Sequence, residues 1–150
     1  MKSLEDPQVL DEIRDRLARL QPDSARQWGI MTAGQMLCHL ADANRVALGD
    51  KKEPGKGTFM GRTVLKTIAL YVPLQWPRGI KTGPQSDQLQ QGTKPVSFTA
   101  DRIALLALID RFHATPRQFA IHPIFGEMTD WEWLRWAYLH CDHHLRQFGI

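Results

Sequence analysis

The chain lacks the short motifs that identify several common enzyme classes. Its two cysteines, Cys38 and Cys141, form no C-x-x-C pair, which argues against a zinc ribbon or a thioredoxin-like redox site. The sequence contains no G-x-S-x-G, no P-loop and no G-x-G-x-x-G, so the enzymes that use those motifs receive no support. It also contains no internal repeat and no low-complexity tract. Any chemistry must therefore be inferred from other residue patterns.

Long apolar runs and concentrated charge are missing as well. The longest apolar run, 64–76, is interrupted by Lys66, Pro73 and Gln75 and is well short of the roughly 20 residues of a membrane span. The formal net charge of +3 is small and dispersed, which argues against nucleic acid as a partner. Residues 1–7 have no apolar stretch of a secretory signal. These absences predict a soluble cytoplasmic protein without a membrane or nucleic-acid partner.

The composition is that of an ordinary globular domain. With 150 residues, of which 43% are hydrophobic, the chain is long enough for one domain, 1–150, with a sizeable core. No segment alternates like a half-buried strand, whereas capping signals and apolar stripes recur at helical spacing. They predict an all-α fold with helices over 7–20, from Thr32 to near Gly49, over 61–72, over 101–113 behind Ser97 or Thr99, and from Thr129 nearly to Gly149. Residues 73–95 are predicted to form a long connection without much regular structure.

The most informative feature is a cluster of histidines near the end of the last predicted helix. His140 and His144 are four residues apart, which places both side chains on one face of a helix, about one turn apart. That face is the apolar stripe of the helix, which consists of Trp133, Ala137, His140, His144 and Phe148. The two histidines are therefore predicted to point inward. His143 faces about 100° away from His144 and cannot share the centre of the stripe.

A third histidine, His39, lies on the apolar stripe of the second predicted helix. The pattern alone leaves two interpretations open. The histidines could be core residues whose nitrogens are satisfied by hydrogen bonds, or they could converge on one transition metal. Several buried imidazoles in a small core are costly unless something satisfies their nitrogens, which is the argument for a metal.

These residues resemble a known family, the DinB/YfiT-like superfamily. The resemblance is carried by the internal His39, by the segment His122-Pro-Ile-Phe-Gly, and by the H-x-x-x-H pair of the last helix with a glutamine three residues further on. It covers almost the whole chain. It implies an up-down four-helix bundle with long crossover connections, in which His39, His140 and His144 hold a divalent metal, most simply zinc or nickel. The chain departs from the family in having His-Leu-Arg-Gln where many members have His-Arg-Gly-Gln.

The resemblance also implies a class of function. Characterised members of the superfamily include thiol-S-transferases and related enzymes that use low-molecular-weight thiols. The expectation is a metal-dependent transferase or hydrolase acting on a small-molecule substrate, in which the metal lowers the pKa of a bound thiol or water. The alternative is a non-catalytic bundle that binds a metal or small ligand. No general base can be identified from the sequence, so the catalytic residues stay unknown.

Residues around the histidines complete the predicted site. Gln147 flanks the stripe and is expected to hydrogen-bond a ligand histidine. His122 either lines the mouth of the site or serves a structural turn. Asp142 lies opposite the apolar stripe and is expected to be solvated. Spare aromatic residues, together with the symmetry common among oligomers, predict a homodimer.

Overall fold

The computed structural model describes residues 1–55, 57–113 and 116–150. These residues form five α-helices and no β-strand, which confirms the all-α prediction. The helices are α1 (Pro7–Arg19), α2 (Ala33–Ala47), α3 (Lys66–Tyr71), α4 (Phe98–Arg111) and α5 (Asp130–Gln147), and a π-helical segment, Gly61–Leu65, precedes α3. Of the described helices, none is both long and apolar enough to cross a membrane.

Side-chain caps start the four longer helices where the sequence predicts them. The Asp6 carboxylate caps α1, and Thr32 and Thr129 form complete capping boxes at the starts of α2 and α5. Of the two candidate caps for α4, Ser97 rather than Thr99 accepts the backbone N–H of Ala100. Each such cap contributes about 1 kcal/mol, so these starts are encoded locally.

The long helices surround the core in a definite arrangement. Helix α2 packs against α4 and α5, and α5 also packs against α1 and α3. The core includes the large, fully buried side chains Met36, Leu37, Leu40, Leu105, Ile109 and Trp133. This packing brings the inward faces of α2 and α5, which carry the predicted histidines, next to each other.

Helix α2 is buried on nearly all sides. Cys38 and Asp42, which the helical projection places away from the apolar stripe, are both buried. The reason is that neighbours cover more than one face of the helix: α4 and α5 pack on it, and the connection after α3 folds back to reach Asp42 through Gln88 and Thr93. The projection gives the phase of α2 correctly but does not show how completely it is covered.

The two cysteines are free and buried. Burial raises the pKa of the Cys38 thiol to about 11 and that of Cys141 to about 12. Both thiols therefore stay protonated at neutral pH and act as packing residues.

Candidate metal centre

Helices α2 and α5 bring His39, His140 and His144 together. One ring nitrogen from each lies within 4.8 Å of the others, and the Nε2 atoms of His39 and His140 are 3.0 Å apart. The ring centroids are separated by 4.6 to 5.0 Å. Metal–imidazole bonds are about 2.1 Å long, so three nitrogens at these separations can reach one ion with small ring adjustments.

Hydrogen bonds fix the tautomers of two of the three rings. The Nδ1–H of His39 donates to the backbone carbonyl oxygen of Ser86 at 2.7 Å, and the Nδ1–H of His144 donates to Oε1 of Gln147 at 3.0 Å. The amide of Gln147 is itself oriented, because its Nε2 donates to the carbonyl oxygen of Trp28 at 2.9 Å. With Nδ1 protonated, Nε2 of each ring is unprotonated and able to accept a metal; in the structure, Nε2 of His39 accepts a hydrogen bond from Nε2–H of His140 at 3.0 Å.

His140 differs from the other two ligand candidates. Its Nε2 contacts the bare Nε2 of His39, while its Nδ1 is enclosed and pairs with no described residue. An enclosed polar atom without a partner costs about 1–3 kcal/mol. The surrounding protein therefore does not fully satisfy this ring, and the fold tolerates that cost at the centre of the cluster.

The electrostatics keep the cluster uncharged. Burial lowers the pKa of His39, and it lowers the pKa values of His140 and His144 well below the ordinary value. For His140 and His144, the positive charge that neighbouring histidines would carry lowers the pKa further. All three rings are therefore neutral at pH 7, which is the form that binds metals.

A cavity of about 670 Å³ opens onto the cluster. His39, His140 and His144 line it, and most of its other walls are apolar: Val46, Leu65, Ile68, Leu74, Trp76, Ile80, Ile124, Phe125, Trp133 and Trp136. A cavity of this size suits a small molecule, and binding sites for such molecules typically combine apolar walls with a few polar groups. A ligand in the cavity would reach the three histidines directly.

His143 also lines the cavity but stands outside the group of three. It packs edge-on against Trp28 with the ring centroids 4.8 Å apart, and its Nδ1 is enclosed without a described partner. Burial, helped by the nearby Arg146, lowers its pKa to about 4. The helical phase inferred from the sequence thus agrees with the structure at this residue.

The structure gives His122 both of the roles that the sequence left open. Its Nδ1 accepts hydrogen bonds from the backbone N–H groups of Ile124 and Phe125, at 3.1 and 3.0 Å, so the side chain stabilises a turn. The same residue lines the cavity that opens onto His39, His140 and His144. Gln147 makes the contact with His144 expected for a group that orients a ligand histidine.

The prediction for Asp142 was wrong. Its side chain is only 20% exposed and forms ion pairs with Arg16, at 2.8 Å, and Arg146, at 2.9 Å. The cause is the packing of α1 against α5, which brings Arg16 over the polar face of the last helix. A projection of one helix cannot show which faces a neighbouring helix will cover.

Ser86, which orients His39, is not recognisable as a site residue from the sequence. Ser86 acts through its backbone carbonyl oxygen, and a carbonyl has no residue-type signal in a sequence. It lies in the connection between α3 and α4, whose length was the only indication of a functional role.

In the part of the chain that the structure describes, five helices and three histidines that line a cavity define an all-α protein with a candidate metal centre. The sequence profile of one family, described as "Protein of unknown function (DUF1569)", matches residues 2–149. The chain belongs to this family. No curated protein and no solved structure matches the chain.

Proposed function

We propose that this protein is a metal-dependent enzyme that acts on a small molecule, with His39, His140 and His144 holding a divalent metal. The observation that carries the proposal is the convergence of three ring nitrogens, within 4.8 Å of one another, on a cavity of about 670 Å³. Two of these rings already present bare Nε2 atoms. Nitrogen donors of this kind favour zinc or nickel over magnesium or calcium.

Three protein ligands leave a coordination position free for a substrate or water, as in catalytic rather than closed structural sites. A divalent metal bound there would supply Lewis acidity and lower the pKa of a thiol or water at neutral pH. The reaction would be a transfer to a thiol, such as a low-molecular-weight thiol, or a hydrolysis. The protein residues orient the ligand rings, exclude water with apolar walls and shape the space for the second reactant.

One observation favours the alternative, a non-catalytic bundle that binds a metal or small ligand. The one carboxylate among the described cavity-lining residues, that of Glu53, is held by the hydroxyl of Ser86 at 3.2 Å and the backbone N–H of Gln85 at 3.4 Å. No carboxylate in the described part of the cavity wall is therefore free to act as a general base. A nucleophile whose pKa is lowered by the metal needs no such base, so the enzyme proposal stands first.

The proposal extends to fold family and location. We infer membership of the DinB/YfiT-like superfamily, with α1, α2, α4 and α5 as the principal helices of a four-helix bundle and residues 50–95 as its crossover. What supports this is the pairwise packing of α2 with α4 and α5 and of α1 with α5. A cytoplasmic location follows from the same proposal.

A homodimer is also proposed. Exposed apolar side chains lie just before and within the π-helical segment, including Phe59, Met60 and Val64. Apolar patches on a surface often mark contacts between copies of a protein. Light scattering at tens of micromolar should give twice the mass of the chain, and Val64→Lys should shift it towards the monomer. A monomeric mass for the unmodified protein would contradict the proposal.

The metal proposal is tested with protein purified without a histidine tag. Elemental analysis should find close to one zinc or nickel per chain, and the cobalt-substituted protein should show the visible spectrum of a low-coordinate site. Adding a low-molecular-weight thiol such as glutathione should change that spectrum, because the thiolate would occupy the free position. A spectrum insensitive to thiol, with metal bound, would favour the non-catalytic alternative, and absence of any metal binding would refute both forms of the site.

A further inference from the structure

The turn that carries His122 is held rigidly in place. The backbone N–H of His122 donates to the carbonyl oxygen of Gly126 at 2.9 Å, and the N–H of Gly126 returns a bond of 2.9 Å. Gly126 has a φ of +73°, a left-handed conformation that glycine adopts without strain. The ring is then fixed by its two bonds to the N–H groups of Ile124 and Phe125.

These contacts determine the tautomer of His122. Since Nδ1 accepts two backbone N–H groups, it cannot itself carry a proton, and the neutral ring must be protonated at Nε2. No described residue accepts a hydrogen bond from Nε2, and this atom is not among the enclosed, unpaired polar atoms. Because His122 lines the cavity, a ligand in the cavity is the available source of a partner for Nε2.

The surroundings of the ring are apolar. It stacks on Phe125, with centroids 4.4 Å apart and planes inclined by 13°, and it packs against Trp133 and Trp136 at 5.3 and 5.5 Å. Trp136 also packs against His140, at 4.9 Å, so a single indole joins His122 to the histidine cluster. Burial, helped by the charge of Lys66, lowers the pKa of His122 to about 4, which keeps the ring neutral.

We propose that His122 is a substrate-binding residue that donates a hydrogen bond from Nε2 to an uncharged carbonyl-type oxygen of an apolar small molecule in the cavity. A neutral donor among aromatic walls offers no charge to select an anion, but it pairs well with a neutral acceptor. The pinned ring needs no rearrangement to donate, which is the property of a preorganised polar group. In the proposed function, this carbonyl-containing molecule would be the second substrate. The role of the metal in that reaction rests on the proposed function.

Two substitutions of His122 separate the role of Nδ1 as an acceptor in the turn from the role of Nε2 as a donor to the ligand. In His122→Asn, the amide oxygen can replace Nδ1 as acceptor in the turn, but nothing replaces the Nε2 donor. In His122→Gln, the amide nitrogen can reach towards the position of Nε2, but the acceptor of the turn is lost. We expect His122→Asn to melt near the wild-type temperature and His122→Gln to melt lower, because only the first retains the turn.

The ligand test uses acetophenone, which has a carbonyl oxygen, and ethylbenzene, which has a similar shape without an acceptor. We expect His122→Asn to bind acetophenone about tenfold more weakly than the wild type, the effect of one lost hydrogen bond, and to bind ethylbenzene equally well. His122→Gln should bind acetophenone more tightly than His122→Asn. Binding is measured by ligand-detected NMR, once with protein freed of metal by a chelator and once with zinc-loaded protein.

The outcomes distinguish this inference from the metal proposal. A selective loss of acetophenone affinity in chelated protein supports a donor at His122 even if zinc proves not to bind. Equal acetophenone affinity in the wild type and His122→Asn, no acetophenone binding to the wild type, or a preference that depends on zinc but not on His122 would each overturn it. Nitrogen-15 NMR of the wild type provides a test free of substitutions, because a proton on Nδ1 of His122 would contradict the assignment.

Discussion

Asp42 joins the long connection to helix α2. Its side chain is 0% exposed and forms ion pairs of 2.9 Å with both Arg45 and Lys51. It also accepts hydrogen bonds from the backbone and hydroxyl of Thr93, each at 2.7 Å, and from the amide of Gln88 at 3.3 Å. Burial raises the pKa of the carboxyl, but the bonds from Lys51 and Thr93 outweigh it and leave the pKa below its ordinary value. Asp42 is therefore charged at neutral pH.

The substitution Asp42→Asn keeps the shape of the side chain but removes the charge and turns one hydrogen-bond acceptor into a donor. Losing hydrogen bonds to a charged group costs about 1.5–3 kcal/mol, and the cost is not larger because the opposite charges, on Arg45 and Lys51, are 31% and 19% exposed. The matched control is Asp50→Asn. Asp50 pairs with Arg111 near the surface, with side chains 37% and 49% exposed, and such pairs contribute about 0–1 kcal/mol. Urea denaturation of the chelated proteins should show this difference in the free energy of unfolding.

The same substitution should also reach the histidine cluster. The segment that Asp42 anchors includes Ser86, whose carbonyl oxygen orients His39. Loss of a group that orients a ligand ring typically weakens metal binding by about 10- to 100-fold. Competition with a chelator should therefore show weaker zinc binding for Asp42→Asn than for Asp50→Asn. If the two variants differ by less than about 1 kcal/mol in stability and bind zinc equally, Asp42 is not the anchor that its contacts indicate.

Three further predictions concern the histidines. His140→Ala and His144→Ala should lose most bound zinc while His143→Ala retains it, measured by elemental analysis after dialysis; equal losses would show that the ligand set is wrong. Gln147→Ala should weaken zinc binding by about 10- to 100-fold, measured by chelator competition, because the proton on Nδ1 of His144 would lose its acceptor; an unchanged affinity would remove Gln147 from the site. The low pKa of His122, about 4 against 6.5 for an ordinary histidine, means that the unfolded chain takes up a proton first as the pH falls. This residue's contribution to stability is therefore complete above about pH 6.5, and about 2 kcal/mol of it should be lost by pH 5. Denaturant unfolding of metal-free His122→Asn should not show this loss of unfolding free energy as the pH falls. An identical pH dependence in the wild type and His122→Asn would contradict the low pKa of His122.

Much of the secondary structure could be predicted because its signals are local. The cap residues Thr32 and Thr129 satisfy backbone N–H groups within the same turn, so three or four residues contain the whole interaction. The inward orientation of His140 and His144 also follows from the geometry of one helix. The π-helical segment before α3 was not anticipated, because its hydrogen-bond register differs from that of an α-helix without a distinct residue pattern.

The parts of the site that local sequence patterns could not predict depend on tertiary packing. The contact between His39 and His140 requires α2 and α5 to be neighbours, and no local rule places them so. The burial of Asp42 and the pairing of Asp142 with Arg16 likewise arise from segments far apart in sequence. The resemblance to a known superfamily supplied the grouping of the three histidines, which periodicity alone left as one of two interpretations.

The proposed metal site is supported by how few hydrogen-bond partners the ring nitrogens of the cluster have. A core imidazole would be stabilised by partners for both nitrogens, yet three neutral rings crowd together here. At the same time, two of the rings are oriented by Ser86 and Gln147, whose bonds leave the facing Nε2 atoms bare. His140 can donate one proton from Nε2, and it donates that proton to Nε2 of His39, so the proton does not also serve Nε2 of His144. A cation satisfies all three nitrogens at once, whereas hydrogen bonds among the rings can satisfy only some of them.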